Sequence, residues 1–406
     1  MSRIWLINPY SSTPATGMGG RHHYLARELA RLGHDVTLVA ARRHHLLRQD
    51  VDTDTLPAEE IVDGYRFVRI DVPRYSGAHD KRRILAWFAL AARLLQLPRR
   101  LGERPDAVLY SSPHPVGYLA AERLARRCGA RLVFEVRDIW PLTLVEVGGH
   151  SPRHLFIRFL QWVEDRAYRN ADKVVSNLEG AVGHMTSQGM DGAKFTWVSN
   201  GIALDEVSAP EPLPADVSAQ IPSEGLRIAY TGSMGAANAL NSLLDAAALL
   251  NDLSDVHFLL VGQGGERAAL EKRREELNLS NVHFLNGVPK KQVQSILRAC
   301  DACYIGLTAD PLFRFGVSPN KLFEYLAAER PILYAIGSGD FNVVERHHAG
   351  LSVPPENPQA LANAIRRFHA MPEVERRRMG ENGRKAALAH YDYAQLARRL
   401  EQVLLG

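Results

Sequence analysis

The stretch "RFGVSPNKLFEYLAAERPIL" (Arg314–Leu333) reads as a helix that runs almost directly into a strand. Ser318 and Pro319 form a helix-start signal, an N-cap followed by proline at the first helical position. An amphipathic stretch over 319–329 follows, and "PILYAI" (331–336) is a short apolar run of strand type. Lys321 falls in the first helical turn, where a cation is unfavourable by roughly 0.3–1 kcal/mol. Glu324 lies one turn further on, on the same face. A surface Lys–Glu pair is worth roughly 0.2–0.5 kcal/mol but leaves the Ser-Pro-Asn start unexplained. An anion bound at the helix start explains the lysine, which would neutralise it beside free backbone N–H groups.

The same alternation of helix and strand extends outward in both directions. Upstream in the chain, strands are expected at 3–9, 35–41, 65–72, 107–113, 131–138 and 173–178, with helices at 19–33, 81–101, 116–128 and 155–170. Proline, serine and acidic residues crowd 203–224, which reads as a linker. A second series follows, with strands at 226–232, 256–262, 282–287, 302–307, 331–336 and 351–355 and helices at 238–251, 265–277, 289–299 and 319–329. Alternating strands and helices imply parallel sheets covered on both faces. The expected architecture is α/β: an N-terminal Rossmann-like domain (1–202), the linker, a C-terminal Rossmann-like domain (225–384) and a terminal helix (385–406). Two doubly wound domains would face a central cleft, with ligands beyond the carboxyl ends of the strands.

Composition supports an ordinary globular chain. The 406 residues are 46% hydrophobic and 23% charged, with a net charge of +4. That balance suits anionic ligands and, with no long Lys/Arg block, argues against nucleic acid. Of three cysteines, Cys300 and Cys303 form a C-x-x-C with no second ligand pair for zinc. Reduced thiols and a cytoplasmic setting follow. "MSRIWLINPY" reads as a first strand rather than a signal peptide, and no run is long and apolar enough to span a bilayer. The pairs His22-His23, His44-His45 and His347-His348 lack a convincingly spaced third ligand, so no metal is expected. "DTD" (52–54) reads as a solvated loop.

Four further motifs sit where expected strands end. "ATGMGGRHHYLAREL" (15–29) places Gly19 and Gly20 at a helix start, suited to a phosphate or a sugar hydroxyl, but it is not a G-x-G-x-x-G match. "FEVRDIWP" (134–141) brings Arg137 and Asp138 to a strand's carboxyl end. "GSMGAANAL" (232–240) and "GQGGERAAL" (262–270) contribute Gly232, Ser233, Gly262 and Gly264. Each is weak alone; their repetition points to a nucleotide site. Separately, "KRRILAWFALAARLLQLPRRL" (81–101) mixes arginines with Trp87, Phe88 and leucines. It suits either packing on the sheet or contact with the inner face of an anionic membrane.

Taken together, these motifs resemble a GT-B glycosyltransferase of glycosyltransferase family 4 over nearly the whole chain. "GMGGRHHYLARELARLGHDVTLVA" is similar to the family's N-terminal glycine loop, and "SPNKLFEYLAAERPIL" to its donor-binding helix. "VRDIWP" and "SPNKLFEY" resemble a bacterial branch that builds O-antigen and capsular polysaccharides, including transferases of N-acetylated amino sugars. The resemblance implies a UDP-sugar donor as substrate, no cofactor or metal, retention of configuration, and a saccharide or lipid-linked saccharide acceptor. It also implies that 385–406 crosses back to the N-terminal domain.

Carried over by position, Glu324 matches the second glutamate of an E-x7-E motif and is expected to hold the ribose. Gly316 stands where the first is expected. Lys321, with Arg314, is expected to replace the missing Arg and Lys that serve the diphosphate. Ser318, Pro319 and Asn320 complete that helix start. Val288 and Lys290 are expected near the base. Asp138 matches the family's His-Asp position with Arg137 in place of histidine, and Arg21 and His22 join them on the acceptor side. Asp138, Lys321 and Glu324 are the expected catalytic residues. Competing readings are a UDP-sugar epimerase, a non-catalytic sugar-nucleotide-binding partner and, last, an NAD-dependent dehydrogenase.

Overall fold

The computed structural model describes residues 1–17, 19–77 and 80–406. The chain divides into two compact units, Met1–Ser199 with Tyr393–Gly406, and Asn200–Asp392.

In the first unit, eight strands form one sheet: β1 (Arg3–Ile7), β2 (Asp35–Ala41), β3 (Glu59–Val62), β4 (Tyr65–Ile70), β5 (Ala107–Ser111), β6 (Arg131–Val136), β7 (Lys173–Ser176) and β8 (Phe195–Trp197). Their order is β3-β4-β2-β1-β5-β6-β7-β8. The central strands are buried along nearly their full length, as strands covered on both faces must be. β3 pairs antiparallel with β4. Asp63 and Gly64 turn that hairpin with φ of 45° and 89°, the pattern of a type I′ turn.

In the second unit, six parallel strands are β9 (Leu226–Thr231), β10 (Val256–Val261), β11 (Val282–Leu285), β12 (Ala302–Gly306), β13 (Ile332–Ala335) and β14 (Gly350–Ser352). Their order is β11-β10-β9-β12-β13-β14. Tyr230, Phe258, Leu260 and Leu333 from this sheet share a core with Leu243, Leu244, Ile365 and Phe368. Each unit is a doubly wound α/β domain, the expected fold class. Loops that follow the strands therefore gather at one edge of each sheet.

Three of the segments assigned from the sequence as linker or helix differ from that expectation. The stretch 203–224 lies within the second unit and is tied to it. Glu206 and Glu211 pair with Lys290 and Lys291 at 3.0 and 3.3 Å, offsetting two cations at the start of the helix Lys290–Arg298. The segment 385–406 is not one helix. A helix ends at Ala386, a π-helical turn spans Ala387–Tyr391, and Asp392 is extended before a new helix, Tyr393–Leu405. That last helix packs in the first unit, where Tyr393 stacks on Tyr24 at 4.8 Å. The segment 81–101 breaks into Arg82–Leu94 and Leu97–Leu101. Its Ala86, Trp87, Leu90 and Leu94 are buried, while Leu85 and Phe88 are exposed. Among the described residues no helix is long and apolar enough to cross a membrane.

Candidate functional site

In the second unit, Lys321 is the centre of a compact cluster. The helix that carries it spans Asn320–Ala327 and has Pro319 at its N-cap, so it starts after Ser318 rather than on it. The reason is that the Ser318 hydroxyl is engaged elsewhere: it accepts the backbone N–H of Asn200 at 2.8 Å, and the Asn200 side-chain amide donates to Ser318 O at 2.6 Å. The N–H groups of Asn320 and Lys321 have no backbone acceptor among the described residues, as the first turn of a helix leaves them.

The Lys321 ammonium reaches the end of β9. It donates to Tyr230 Oη at 2.7 Å and Asn238 Oδ1 at 2.9 Å, and lies 4.1 Å from the centre of the Tyr230 ring. These partners are all neutral, and among the described residues no carboxylate lies within ion-pair distance. Burial lowers the Lys321 amine to about 8, against an opposing pull from Glu324. Burial raises the half-buried Glu324 carboxyl, opposed by Lys290 and Lys321.

The floor beside Lys321 is backbone. Gly232 follows β9 and lies against the lysine side chain, where an added Cβ would sit 3.5 Å from Nζ. Gly262 follows β10, and a Cβ there would stand 2.0 Å from Gly232 O. No other residue allows these two strand ends to approach so closely. Gly264 lies equally tight against the Met234 backbone. Ser233 O accepts both Tyr230 Oη and Asn238 Nδ2, so it braces the two groups that hold Lys321. Val288 is half-buried after β11. Lys290 is exposed and bonded to Glu206. Arg314 packs its guanidinium on Phe315 at 4.3 Å and donates to Pro311 O. Gly316 has φ 89° and ψ 166°, a conformation essentially restricted to glycine, so the first position of the E-x7-E pattern cannot carry glutamate in this backbone.

In the first unit, Gly19 and Gly20 both have positive φ and lead into the helix Gly20–Arg31. The Gly19 N–H is taken by Ser12 Oγ at 3.3 Å. Arg21 and His22, expected on the acceptor side, are instead turned inward and buried. The cause is Glu135, a fully buried carboxylate within β6. It accepts Arg21 Nε at 2.9 Å and His22 Nε2 at 2.6 Å. Asn8 Nδ2 donates to His22 Nδ1 at 2.9 Å, which leaves the ring proton on Nε2. Burial works to raise the Glu135 carboxyl, but Arg21 and His22 overcome it and hold it well below the usual range. This triad fixes the glycine loop to the sheet.

Arg137 and Asp138 do meet where expected, at the end of β6. They line a pocket of about 240 Å³ with Tyr10, Arg83, Trp87, His114 and Trp140. Asp138 stays open to solvent at the rim, yet the surrounding protein raises its carboxyl above the usual range, opposed by Arg137. Among the described residues no three His, Cys, Asp or Glu side chains converge as a metal site.

Five participants escape the sequence reading: Tyr230, Asn238, Asn200, Glu135 and His114. Glu135 had a visible signal, a lone charge inside the apolar strand "RLVFEV". Tyr230 and Asn238 had none, because they meet Lys321 only through strand order.

Two doubly wound units in series, with a lysine cluster and glycine turns at strand ends, define the GT-B class. Thermosynechococcus elongatus sucrose-phosphate synthase shares this fold, with a TM-score of 0.74 at 20% identity over 99% of this chain and 98% of that one. Anabaena Alr3699/HepE, in complex with UDP-glucose, gives 0.66 at 16% identity over 100% and 99%. Residues 16–201 match the Glycosyl transferase 4-like domain, and residues 216–386 match Glycosyl transferases group 1. The chain carries both domains and is a glycosyltransferase. A Pseudomonas aeruginosa protein named as glycosyltransferase WbjE is 26% identical over 64% of this chain and 66% of its own length. A Bacillus subtilis (strain 168) protein named as a glycosyltransferase of teichuronic acid biosynthesis, TuaC, is 25% identical over 91% and 89%.

Proposed function

We propose that this glycosyltransferase moves a sugar from a UDP-linked donor onto a saccharide or lipid-linked saccharide acceptor during envelope polysaccharide synthesis, with retention of configuration. The observation that carries the donor reading is Lys321: a half-buried ammonium with only neutral partners, beside two unbonded helix N–H groups. That arrangement is suited to a diphosphate. The UDP-glucose complex of HepE and the polysaccharide names of the relatives support the same reading.

In this mechanism the bond from the anomeric carbon to the diphosphate oxygen breaks as the acceptor oxygen bonds that carbon from the same face. The acceptor proton passes to the departing phosphate. Lys321 and the N–H groups of Asn320 and Lys321 stabilise charge growing on the leaving group. Glu324 accepts hydrogen bonds from the ribose hydroxyls. Asp138 orients the acceptor in the first unit's pocket. Because Lys321 supplies the charge compensation, turnover is expected to survive a chelator. An N-acetylated amino sugar is the proposed group transferred, on the strength of the "VRDIWP" and "SPNKLFEY" motifs. Exposed Leu85 and Phe88 on the arginine-bearing helix Arg82–Leu94 support contact with an anionic membrane surface.

The test is thermal stability with UDP, GDP, ADP or NAD in the presence of chelator, followed by a donor screen. A ligand that binds only the folded state raises the melting temperature. UDP is expected to do so in the native protein and not in Lys321→Ala. A shift with GDP or ADP alone would discard the uridine assignment.

A further inference from the structure

The pocket at the end of β6 has a composition that specifies more than a generic acceptor. His114 is 1% exposed and lines it, yet neither ring nitrogen has a hydrogen-bond partner. Buried polar groups are nearly always paired, and one left unpaired against a cavity is open to a ligand that supplies the partner. Burial lowers the ring to about 3, so it is neutral and offers one donor and one acceptor. A hydroxyl, which both donates and accepts, can pair with either nitrogen. Trp87 stacks on the His114 ring at 4.3 Å and 19°, and Trp140 meets Trp87 edge-on at 5.7 Å. Trp87 Nε1 donates to Tyr10 Oη at 2.8 Å, which fixes a third aromatic wall. Aromatic walls with a hydroxyl partner suit a sugar ring. At about 240 Å³ the space is smaller than the roughly 300–1,000 Å³ that holds drug-sized ligands, and so suits a single ring.

Charge narrows the choice. Arg83 and Arg137 both line the pocket, against one carboxylate, Asp138. The Arg137 Nε is buried without a partner. Arg83 lies over the Trp87 ring at 5.3 Å. Neither arginine forms an ion pair among the described residues. Guanidinium groups in this condition match a carboxylate.

We infer that this pocket holds a single acidic sugar, the terminal unit of the acceptor, with a hydroxyl on His114 and its carboxylate on Arg83 and Arg137. The inference rests on the acceptor reading above and names the acceptor's chemical class.

The experiment uses the full chain and two probes, methyl β-D-glucuronide and methyl β-D-glucoside, in saturation-transfer NMR with tryptophan fluorescence in parallel. The glucuronide is expected to bind at least tenfold more tightly. Arg137→Gln should sharply reduce that preference. His114→Phe, which keeps the stack on Trp87, should weaken both probes. Equal affinity for the two glycosides, or an unaltered preference in Arg137→Gln, would overturn the acidic assignment. Displacement of the glucuronide by equimolar inorganic phosphate would overturn it in favour of a plain anion site, and no transfer from either glycoside would overturn the site itself. Because Arg137 is only half-buried, its variant remains informative if His114→Phe fails to fold. UDP thermal shifts on the same samples read the second unit independently. Protein stabilised by UDP but blind to the glucuronide loses only this inference; protein that binds the glucuronide but ignores UDP loses the donor reading.

Discussion

Asn200 and Ser318, 118 residues apart in sequence, are joined by two hydrogen bonds that Asn200 donates, its backbone N–H to the Ser318 hydroxyl oxygen and its side-chain amide to the Ser318 carbonyl. The pair pins the approach to the helix that carries Lys321. Ser318→Ala removes the acceptor for the Asn200 N–H, a bond worth about 1 kcal/mol net. UDP affinity measured by calorimetry is expected to fall several-fold, with a smaller loss in Ser318→Thr, which keeps the hydroxyl.

The proposed role of Lys321 at the diphosphate makes donor binding pH-dependent. With its amine at about 8 it is charged at pH 7 and largely neutral by about pH 9. UDP affinity is expected to drop several-fold across that interval in the native protein, and to change far less in Lys321→Arg, whose charge persists. The sign reverses for stability without ligand. The folded value lies below the unfolded 10.5, so the folded state binds fewer protons between about 8 and 10.5, and this group's contribution to stability rises with pH there. A thermal-shift series in pH with and without UDP separates the two.

Glu135 is the structural counterpart in the first unit. Glu135→Gln leaves the buried Arg21 guanidinium without its counter-charge, a loss of about 3–5 kcal/mol. The urea midpoint of the first unit, followed by the fluorescence of its five tryptophans, is expected to fall well below that of the native protein. An unchanged midpoint would remove the triad from the account of how the glycine loop is held.

Gly316→Glu would restore the missing carboxylate on paper. At φ 89° and ψ 166° the new side chain costs about 1–3 kcal/mol in backbone strain. The expected outcome is a lower melting temperature and no gain in transfer rate in a donor-consumption assay.

Exposed Leu85 and Phe88 give the membrane proposal a direct test. Co-sedimentation with phosphatidylglycerol vesicles is expected for the native protein and should be largely lost in the Leu85→Ser, Phe88→Ser double variant. Equal sedimentation of both would remove this face from consideration.

Apart from β3 and β8, the strands of the two sheets were legible because burial on both faces makes them continuous apolar runs, such as "RIWLI" and "VHFLLV". The helix Leu155–Asn170 was legible to its ends from the helical spacing of its buried residues. β3 was not, because "EEIV" is an edge strand with alternate residues in solvent, although the Asp63-Gly64 turn announced a hairpin. The helix Glu373–Ala386 was hidden by its charge: it buries Gly380, Gly383 and Ala386 rather than an apolar stripe. At the site, Lys321 was legible because it opposes the helix dipole. Its partners Tyr230 and Asn238 were not, since they are 91 and 83 residues away and neither type is unusual where it stands. Arg21 and His22 were misplaced because a glycine loop fixes where a helix starts, not which of its faces turns inward.

His34 joins the beginning and the end of the chain. Its Nδ1 accepts the Ser2 N–H at 3.3 Å, and its Nε2 meets Glu401 at 2.7 Å. One imidazole thus bridges residues at opposite extremes of the sequence, both within the first unit. A simple truncation at Ser199 would strip that unit of its last helix. A permuted gene that begins at Tyr393, passes through a short peptide from Gly406 to Met1 and stops at Ser199 would encode the same unit as one uninterrupted polypeptide, and so offers a route to testing the proposed acceptor pocket apart from the second unit.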